Sequence, residues 1–340
     1  MIEHREKEDP RRKAGIAWLR AHDVVAREVV PASEDASFRR YFRVVIERSP
    51  FAVETAVLMD APPAREDSRP FVQVAELLAA VGAPVPKVYV ADLDEGFLLL
   101  EDLGATALLS RLTTEPQMVD FYYQQAGQWL HVMQSMNADV AAQRPAYDEA
   151  QLRREMQLFI DWLCVRHLHI ELSDADLEAW QALTDLLVIN AASQPNAFVH
   201  RDYHSRNLMV RDDDTLSIID FQDAMYGPYT YDLVSLLRDC YVAWPMEQVT
   251  RWAIAWLDHS PHGQDVSQTQ RLRWFFLMGV QRQLKAAGIF ARLALRDDKW
   301  HYLPDVPRTL GYITALLSAY PELAWLIRLI EQRVLPRLDQ

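Results

Sequence analysis

His200-Arg201-Asp202-Tyr203-His204-Ser205-Arg206-Asn207 is a polar segment, and it decides the fold class of this chain. Further along, Ile218-Ile219-Asp220-Phe221-Gln222 places a carboxylate directly after an apolar run. Between the two segments, the runs 208–210 and 216–219 flank the turn 211–214 and predict a β-hairpin. Because antiparallel partners meet across a short loop, we expect this hairpin to bring Asn207 close to Asp220.

The spacing of these residues is typical of phosphoryl-transfer sites, where an H-R-D-x-x-x-x-N loop is followed by a second Asp after a strand. Phosphoryl transfer depends on positioning and on neutralising phosphate charge, so the protein needs few reactive groups. Asp202 is the candidate catalytic base that takes the proton of the acceptor hydroxyl. Asn207 and Asp220 carry the hard oxygen ligands that Mg²⁺ prefers. The sequence therefore predicts an ATP- and Mg²⁺-dependent phosphotransferase.

Composition sets the class of protein more broadly. The chain has 340 residues, half of them apolar, which suffices for two domains or one large bilobal unit. Its formal net charge of −13 argues against nucleic acid or an anionic membrane as the principal partner. We expect a globular protein that acts on small molecules.

The cysteines and the amino terminus bear on the cellular compartment. Only Cys164 and Cys240 are present, which is too few for a disulfide framework and lacks the spacing of a zinc site. The first 13 residues are densely charged and carry no apolar signal-peptide core, and no apolar run is long enough to span a bilayer. These features predict a cytoplasmic protein.

The amino-terminal third is predicted to be a small sheet with helices. A helix is expected at 13–21 and another at 69–81. Runs rich in β-branched and aromatic residues predict strands at 24–30, 38–47, 51–58, 87–91 and 97–101.

The remainder is predicted to be mainly helical, with long periodic segments at 115–136, 150–168, 173–192, 231–258, 265–293 and 308–336. We therefore expect an α+β fold with an amino-terminal nucleotide-binding lobe at 1–101 and a carboxy-terminal catalytic and substrate-binding lobe at 106–340. Residues 102–105 would form the hinge between the two lobes.

The catalytic segment, together with Ile218–Asp232, resembles the aminoglycoside phosphotransferase and choline kinase superfamily. In that second segment, Asp220-Phe221-Gln222-Asp223 and Gly227-Pro228 followed by Tyr231-Asp232 are similar to the family's metal-binding segment and the helix after it. The resemblance implies the protein-kinase bilobal fold, with an antiparallel-sheet lobe and a larger helical lobe.

Within that superfamily, three further segments, 35–44, 57–63 and 99–104, are similar to the anomeric kinases of N-acetylated amino sugars. This resemblance implies transfer of phosphate from ATP to the C1 hydroxyl of N-acetylmuramate or N-acetylglucosamine, in peptidoglycan recycling. A kinase of an aminoglycoside or a choline-like amine would share the same catalytic residues. A nucleotide-binding pseudokinase is the non-enzymatic alternative.

Two departures from the protein-kinase pattern concern the nucleotide. No G-x-G-x-x-G loop is present, and Ser37 and Phe38 lie in the turn where backbone N–H groups would approach phosphate. Met59 stands where a lysine normally contacts the phosphates, which motivates the pseudokinase alternative. Arg43 is the preferred replacement cation, with Arg39 and Arg40 as further candidates, and each is as readily explained as part of a solvated strand face.

Adenine is expected to contact backbone groups of the hinge segment Glu101, Asp102 and Leu103. The candidate residues for acceptor binding are Arg206, Asp223 and Glu155. Asp223 could equally serve as a cap or an ion-pair partner, whereas for Glu155 exposure to solvent is slightly preferred.

The catalytic segment also contains residues with an expected structural role. Asp232 is predicted to brace the loop and His200 to be a buried organiser of it. Arg201 and Arg206 are expected to pair with Asp212, Asp223 or Asp232 if they do not face a ligand. The exposed-loop candidate for stacking on a sugar ring is Trp300.

Overall fold

The structure is a computed structural model that describes residues 9–34 and 38–338; for Ser33 and Glu34 it describes the backbone alone. The chain divides into two compact units. The first consists of Met1–Ala107 and Met209–Asp223, and the second of Leu108–Leu208 and Ala224–Gln340.

The strands are numbered in chain order: β1 (Val25–Glu34), β2 (Arg40–Arg48), β3 (Thr55–Asp60), β4 (Val88–Asp92), β5 (Phe97–Glu101), β6 (Asn196–Val199), β7 (Leu208–Val210), β8 (Leu216–Ile218) and β9 (Met225–Pro228). The first five form an antiparallel sheet in the first unit, in the order β1-β2-β3-β5-β4. In the second unit, β6 pairs with β9. Strands β7 and β8 pair with each other as the predicted hairpin, which belongs to the first unit from Met209 onward.

The helices are α1 (Pro10–Ala21), α2 (Arg69–Ala80), α3 (Leu108–Thr114), α4 (Val119–Gln134), α5 (Ala138–Ala141), α6 (Glu149–Leu158), α7 (Asp174–Ala192), α8 (Tyr231–Leu237), α9 (Met246–His259), α10 (Gln268–Asp297), α11 (Val306–Thr314), α12 (Ala324–Leu329) and α13 (Leu335–Leu338). Phe159–His167 continues α6 as a π-helix and Ile330–Val334 links α12 to α13 in the same way. Short 3₁₀ segments lie at Pro116–Met118, Trp300–Asp305 and Pro321–Leu323.

The core of the first unit lies between α1 and the sheet. Trp18 and Leu19 of α1 pack against the buried side chains of Leu58 and Phe97. The helix begins where the Asp9 side chain accepts the N–H groups of residues 11 and 12, the usual arrangement at an N-cap. This packing fixes one face of the sheet.

The second unit is organised around α10, which spans 30 residues and is buried along most of its length. It packs against α6 with its π-helical continuation, and also against α7, α8 and α11. Gly288 permits the close approach to α6, since a Cβ there would lie 2.3 Å from the backbone carbonyl carbon of Leu158. Helix α10 therefore contributes side chains to the interior from several successive turns.

Several predicted boundaries differ from the observed ones for local reasons. Strand β3 begins at Thr55 because the Ser49 hydroxyl accepts the N–H of Phe51, which turns the chain before the strand starts. The predicted helix 231–258 is two helices, separated by a connection that ends at Pro245. The predicted helix 308–336 is also interrupted, since α11 ends at Thr314 and the next helical segment begins at Pro321, a first-turn position that proline favours.

Within residues 9–34 and 38–338, none of the helices is long and apolar enough to cross a membrane. Cys164 and Cys240 are buried free thiols.

Candidate active site

The loop that follows β6 is fixed by a buried carboxylate. Asp232, at the start of α8, accepts the backbone N–H of His200 at 2.6 Å and that of Arg201 at 2.9 Å. Burial raises the pKa of Asp232 to about 7, against the opposing effect of the two N–H bonds. His200 is fully buried in this loop. The predictions that Asp232 braces the loop and that His200 is a buried residue of it are confirmed.

A second carboxylate holds the following turn. Asp239 accepts both the backbone N–H of Ser205 at 2.9 Å and its hydroxyl at 2.5 Å. It also accepts the backbone N–H of Tyr241 at 2.8 Å. The hydroxyl of Tyr203 donates to the carbonyl of Ala126 at 2.8 Å. The loop is thus held on both sides of Asp202 by bonds to the helices of the same unit.

Asp202 lies at the wall of a cavity of about 80 Å³ within the second unit. The other lining residues come mainly from α10 and from the segment after α8: His204, Cys240, Tyr241, Arg282, Lys285, Ala286, Ile289 and Phe290. Burial opposes ionisation of Asp202, but Lys285, His204 and Arg282 outweigh it and hold its pKa below the ordinary value. Asp202 is therefore a carboxylate at neutral pH, as a proton acceptor must be.

Glu155 lies in a buried network beside this cavity. Its carboxylate accepts a hydrogen bond from Arg201 at 2.7 Å and is 3.6 Å from the ammonium of Lys285. Tyr147 donates its hydroxyl to the same carboxylate. The prediction that Glu155 is exposed is wrong, because only 5 % of the residue is accessible. The prediction that the Arg201 side chain pairs with Asp212, Asp223 or Asp232 is also wrong, since it pairs with Glu155.

Asn207 is oriented by the catalytic segment itself. Its side-chain amide donates to the backbone carbonyl of Asp202 at 3.0 Å. This bond uses the nitrogen of the amide, and the amide oxygen is the atom with the chemistry of a Mg²⁺ ligand.

Asp220, the other predicted metal ligand, belongs to the first unit. It has a positive φ of 63°, a backbone conformation that Asp tolerates better than most residues, and it accepts a 2.7 Å hydrogen bond from Gln222. The next residue, Phe221, is buried and its ring lies 4.9 Å from that of Phe71 on α2. The Asp220 turn is thus anchored by its neighbour. Coordination of one ion by Asn207 and Asp220 stays a prediction of the motif.

Within residues 9–34 and 38–338, there is no group of three or more His, Cys, Asp or Glu side chains that could hold a metal ion. A pair made of one amide and one carboxylate does not require such a cluster, because Mg²⁺ usually takes one or two carboxylates and completes its shell with phosphate and water.

The residues predicted to bind nucleotide are engaged with one another in the first unit. Arg43 on β2 forms an ion pair with Asp102 at 2.7 Å and donates to the carbonyl of Gly104 at 2.8 Å. Glu101 pairs with Arg211 at 2.8 Å, and Leu103 is buried. Arg43 therefore links β2 to the segment 101–104 through Asp102 and Gly104.

The turn predicted to approach phosphate can be described only in part, and Ser37 lies outside the described residues. Phe38 is 57 % exposed and the guanidinium of Arg65 lies 5.1 Å from its ring centroid.

Met59, at the position of the missing lysine, is fully buried. The other two candidate cations have carboxylate partners, Arg39 with Glu66 at 2.6 Å and Arg40 with both Asp9 and Asp60. Two positive charges that act on Asp202, those of Lys285 and Arg282, are supplied by α10.

The remaining predicted acceptor residues lie in different environments. The guanidinium of Arg206 lies 3.6 Å from the ring centroid of Tyr241, a cavity residue, instead of pairing with the predicted carboxylates. Asp223 is exposed. Trp300 is half exposed, and its indole N–H donates to Asp298 at 2.6 Å. Arg206 therefore contacts a residue of the cavity wall without being part of that wall.

Sequence reasoning missed Arg282 and Lys285, the two cations that face Asp202. Their signal in the sequence is a polar interruption, Gln281-Arg282-Gln283, followed by Lys285, in a helix that is apolar on either side. Charged residues are seldom buried without a partner or a role. That rule marks these positions as candidates, although it does not say which carboxylate they face.

The chain belongs to the phosphotransferase enzyme family, whose family model matches residues 28–275. Structural neighbours show the same fold at low identity. An ADP-bound aminoglycoside phosphotransferase has a TM-score of 0.59 at 15 % identity, covering 88 % of this chain and 97 % of that chain. Choline kinase LicA from Streptococcus pneumoniae has a TM-score of 0.58 at 12 % identity, covering 89 % and 99 %. The predicted protein-kinase-like α+β fold is confirmed.

Curated relatives are similar over nearly the whole chain. The N-acetylmuramate/N-acetylglucosamine kinase of Pseudomonas aeruginosa is 46 % identical over 316 residues, covering 91 % of this chain and 89 % of the relative. The protein of the same name from Neisseria meningitidis is 38 % identical over 309 residues, covering 89 % and 90 %. The predicted resemblance to this group of kinases is confirmed.

Proposed function

We propose that this protein is an ATP-dependent sugar kinase that phosphorylates the anomeric C1 hydroxyl of N-acetylmuramate and N-acetylglucosamine. The observation that carries the proposal is the ionised Asp202 at the wall of a cavity, in the loop where the phosphotransferase family has its catalytic Asp. The choice of acceptor is supported by the names of relatives at 46 % and 38 % identity.

Asp202 acts as the base in this proposal. The acceptor hydroxyl donates its hydrogen bond to the carboxylate, which orients the oxygen for in-line attack on the γ-phosphorus of ATP. As the new oxygen–phosphorus bond forms, the bond from the γ-phosphorus to the bridging oxygen breaks and ADP leaves. The proton passes to Asp202. The nearby charges of Lys285 and Arg282 keep the carboxylate ionised before the reaction, which is the state that accepts a proton.

Asn207 and Asp220 would hold Mg²⁺, which supplies charge neutralisation for the phosphates. The donor set fits, because an amide oxygen and a carboxylate are both hard ligands. Adenine would contact the backbone of the segment 101–103, where Asp102 forms an ion pair with Arg43. Phe38, together with Ser37, would lie near the phosphates.

We also propose a role in peptidoglycan recycling in the cytoplasm, which the resemblance to the amino-sugar kinases implies. A sugar 1-phosphate is the form in which an amino sugar can enter nucleotide-sugar synthesis, which is consistent with that role. Glu155, through Arg201, would position the loop that carries Asp202, while Arg206 and Asp223 would contact the acceptor.

A nucleotide-binding pseudokinase is favoured by one observation, the buried Met59 in place of the phosphate-binding lysine. An aminoglycoside or choline-like acceptor is the other alternative, since such kinases share the fold.

The test is an acceptor panel. ATP consumption is measured with N-acetylmuramate, N-acetylglucosamine, an aminoglycoside and choline, with the Asp202→Asn variant as the matched control. We expect consumption with the two amino sugars alone and its loss in the variant. Consumption only with another acceptor would reject the amino-sugar assignment, and no consumption with any acceptor would favour the pseudokinase.

A further inference from the structure

We infer that the cavity beside Asp202 is a subsite for a carboxylate substituent of the acceptor, bound by Arg282. The inference rests on the proposed function and adds to it the residue that distinguishes two acceptors. N-acetylmuramate differs from N-acetylglucosamine by an ether-linked lactyl group that ends in a carboxylate.

Arg282 is the strongest evidence for an anionic ligand. It is 4 % exposed and lines the cavity, yet two of its guanidinium nitrogens, Nε and Nη1, have no hydrogen-bond partner among the residues that the structure describes. Buried donors without partners cost free energy, so native proteins rarely keep them without a function. A guanidinium also matches the geometry of a carboxylate better than an ammonium does.

The carboxylates around the cavity are engaged elsewhere. Glu155 is shared by Arg201 and Lys285. Asp239 accepts two hydrogen bonds from Ser205 and one from the backbone of Tyr241. Its charge attracts Arg282, as that of Asp202 does, but no hydrogen bond joins it to Nε or Nη1 of Arg282. Asp232 accepts two backbone N–H groups of the catalytic loop. Asp202 is the carboxylate that lines the cavity, and the proposed function reserves it for the acceptor hydroxyl.

The other cavity walls suit the same ligand. Lys285 donates to the hydroxyl of Tyr231 at 3.0 Å and contributes a second positive charge. The buried His204 ring has an Nδ1 atom without a partner in the described part of the chain. Ile289 and Phe290 supply an apolar side that suits a methyl group. With a volume of about 80 Å³, the cavity has room for a small substituent, since about 10–15 Å³ of such space already holds one water molecule.

The first experiment uses the unmodified enzyme. The values of kcat/KM are compared for N-acetylmuramate, its methyl ester and N-acetylglucosamine. We expect esterification to lower kcat/KM at least tenfold, because it removes the charge and adds bulk inside the subsite. Equal values for the acid and the ester would overturn the inference.

The second experiment assigns the charge to Arg282. In Arg282→Gln, we expect kcat/KM for N-acetylmuramate to fall at least tenfold more than that for N-acetylglucosamine, mainly through KM. Arg282→Lys keeps the charge and should retain more of the preference. Arg296→Gln, on an exposed part of the same helix where Arg296 pairs with Asp297, is the matched control and should change neither value.

The outcomes separate the two proposals. An equal fall for both sugars in Arg282→Gln would show that Arg282 acts only on Asp202 or on the shared acetamido group, which overturns the subsite and leaves the kinase intact. If the unmodified protein phosphorylates neither sugar, the proposed function fails and the subsite with it. If Arg282→Gln does not fold, the comparison of acid with ester still decides.

Discussion

Arg201 donates a 2.7 Å hydrogen bond to the buried carboxylate of Glu155, so the residue directly before the proposed base is tied to helix α6. Arg201 also has a positive φ of 77°, which a non-glycine residue adopts at a cost. The ion pair and the Asp232 bond to the Arg201 N–H hold that conformation from two sides. The position of Asp202 therefore depends on residues far from it in sequence.

Glu155→Gln tests this dependence through stability. The substitution leaves the positive charges of Arg201 and Lys285 buried without their shared carboxylate, so we expect a loss of about 3–5 kcal/mol in the free energy of unfolding. Urea unfolding followed by circular dichroism measures it.

The matched control for Glu155→Gln is Asp185→Asn, which removes a carboxylate from the more exposed pair with Arg153. We expect a change of no more than about 1 kcal/mol there. Similar small losses for both variants would contradict the structural importance of Glu155.

Asp202→Asn tests the assignment of the base. The amide cannot accept the hydroxyl proton, so we expect kcat to fall by about 10²–10⁴-fold while affinity for ADP changes little. Steady-state kinetics and calorimetric titration with ADP measure the two quantities. Retained turnover would reject Asp202 as the base.

Asp220→Asn tests the proposed metal ligand. Removal of one charge from the ligand set should weaken ADP binding about tenfold or more in the presence of Mg²⁺, about 1.4 kcal/mol, and change it little in the presence of EDTA. Isothermal titration under both conditions provides the comparison. An equal loss with and without Mg²⁺ would show that Asp220 has a purely structural role.

Asp232→Asn tests the buried brace through pH dependence. Because the pKa of Asp232 is raised to about 7 in the folded protein, the folded state binds more protons than the unfolded state between about pH 4 and 7. Protonated Asp232 therefore adds to the free energy of unfolding. This stabilisation is fully present below the pKa of Asp in the unfolded chain, and it is lost as the pH rises through about 7.

Urea midpoints at pH 5, 6, 7 and 8 measure that contribution. We expect the urea midpoint of the unmodified protein to exceed that of Asp232→Asn by more at pH 5 than at pH 8. A difference that grows with pH would contradict the raised pKa.

Much of the first unit could be predicted because its signals are local. The strand Phe97–Glu101 and the helix Arg69–Ala80 lie within one residue of the predicted ranges, since Gly96 precedes the apolar strand and Pro70 and Gly82 mark the ends of the helix. The second unit was predicted less well where a helical pattern continued across a proline connection, as at Pro245 and Pro321.

In the candidate active site too, residues with a local sequence signal could be predicted, whereas residues placed by tertiary packing could not. Asp202, Asn207 and Asp220 are recognisable because their roles follow from a fixed spacing. Lys285 and Arg282 lie about 80 residues after Asp202, and only tertiary packing of α10 places them at the same cavity. Burial of Glu155 could not be predicted either, because its partners come from a loop and a distant helix.

The most direct test of the account is the position of phosphate in the product made from N-acetylglucosamine and ATP. Phosphorus–carbon and phosphorus–proton couplings in the NMR spectrum identify the phosphorylated carbon. We predict couplings to C1, C2 and the anomeric proton, as in a sugar 1-phosphate. Couplings to C6 and its protons would contradict anomeric transfer.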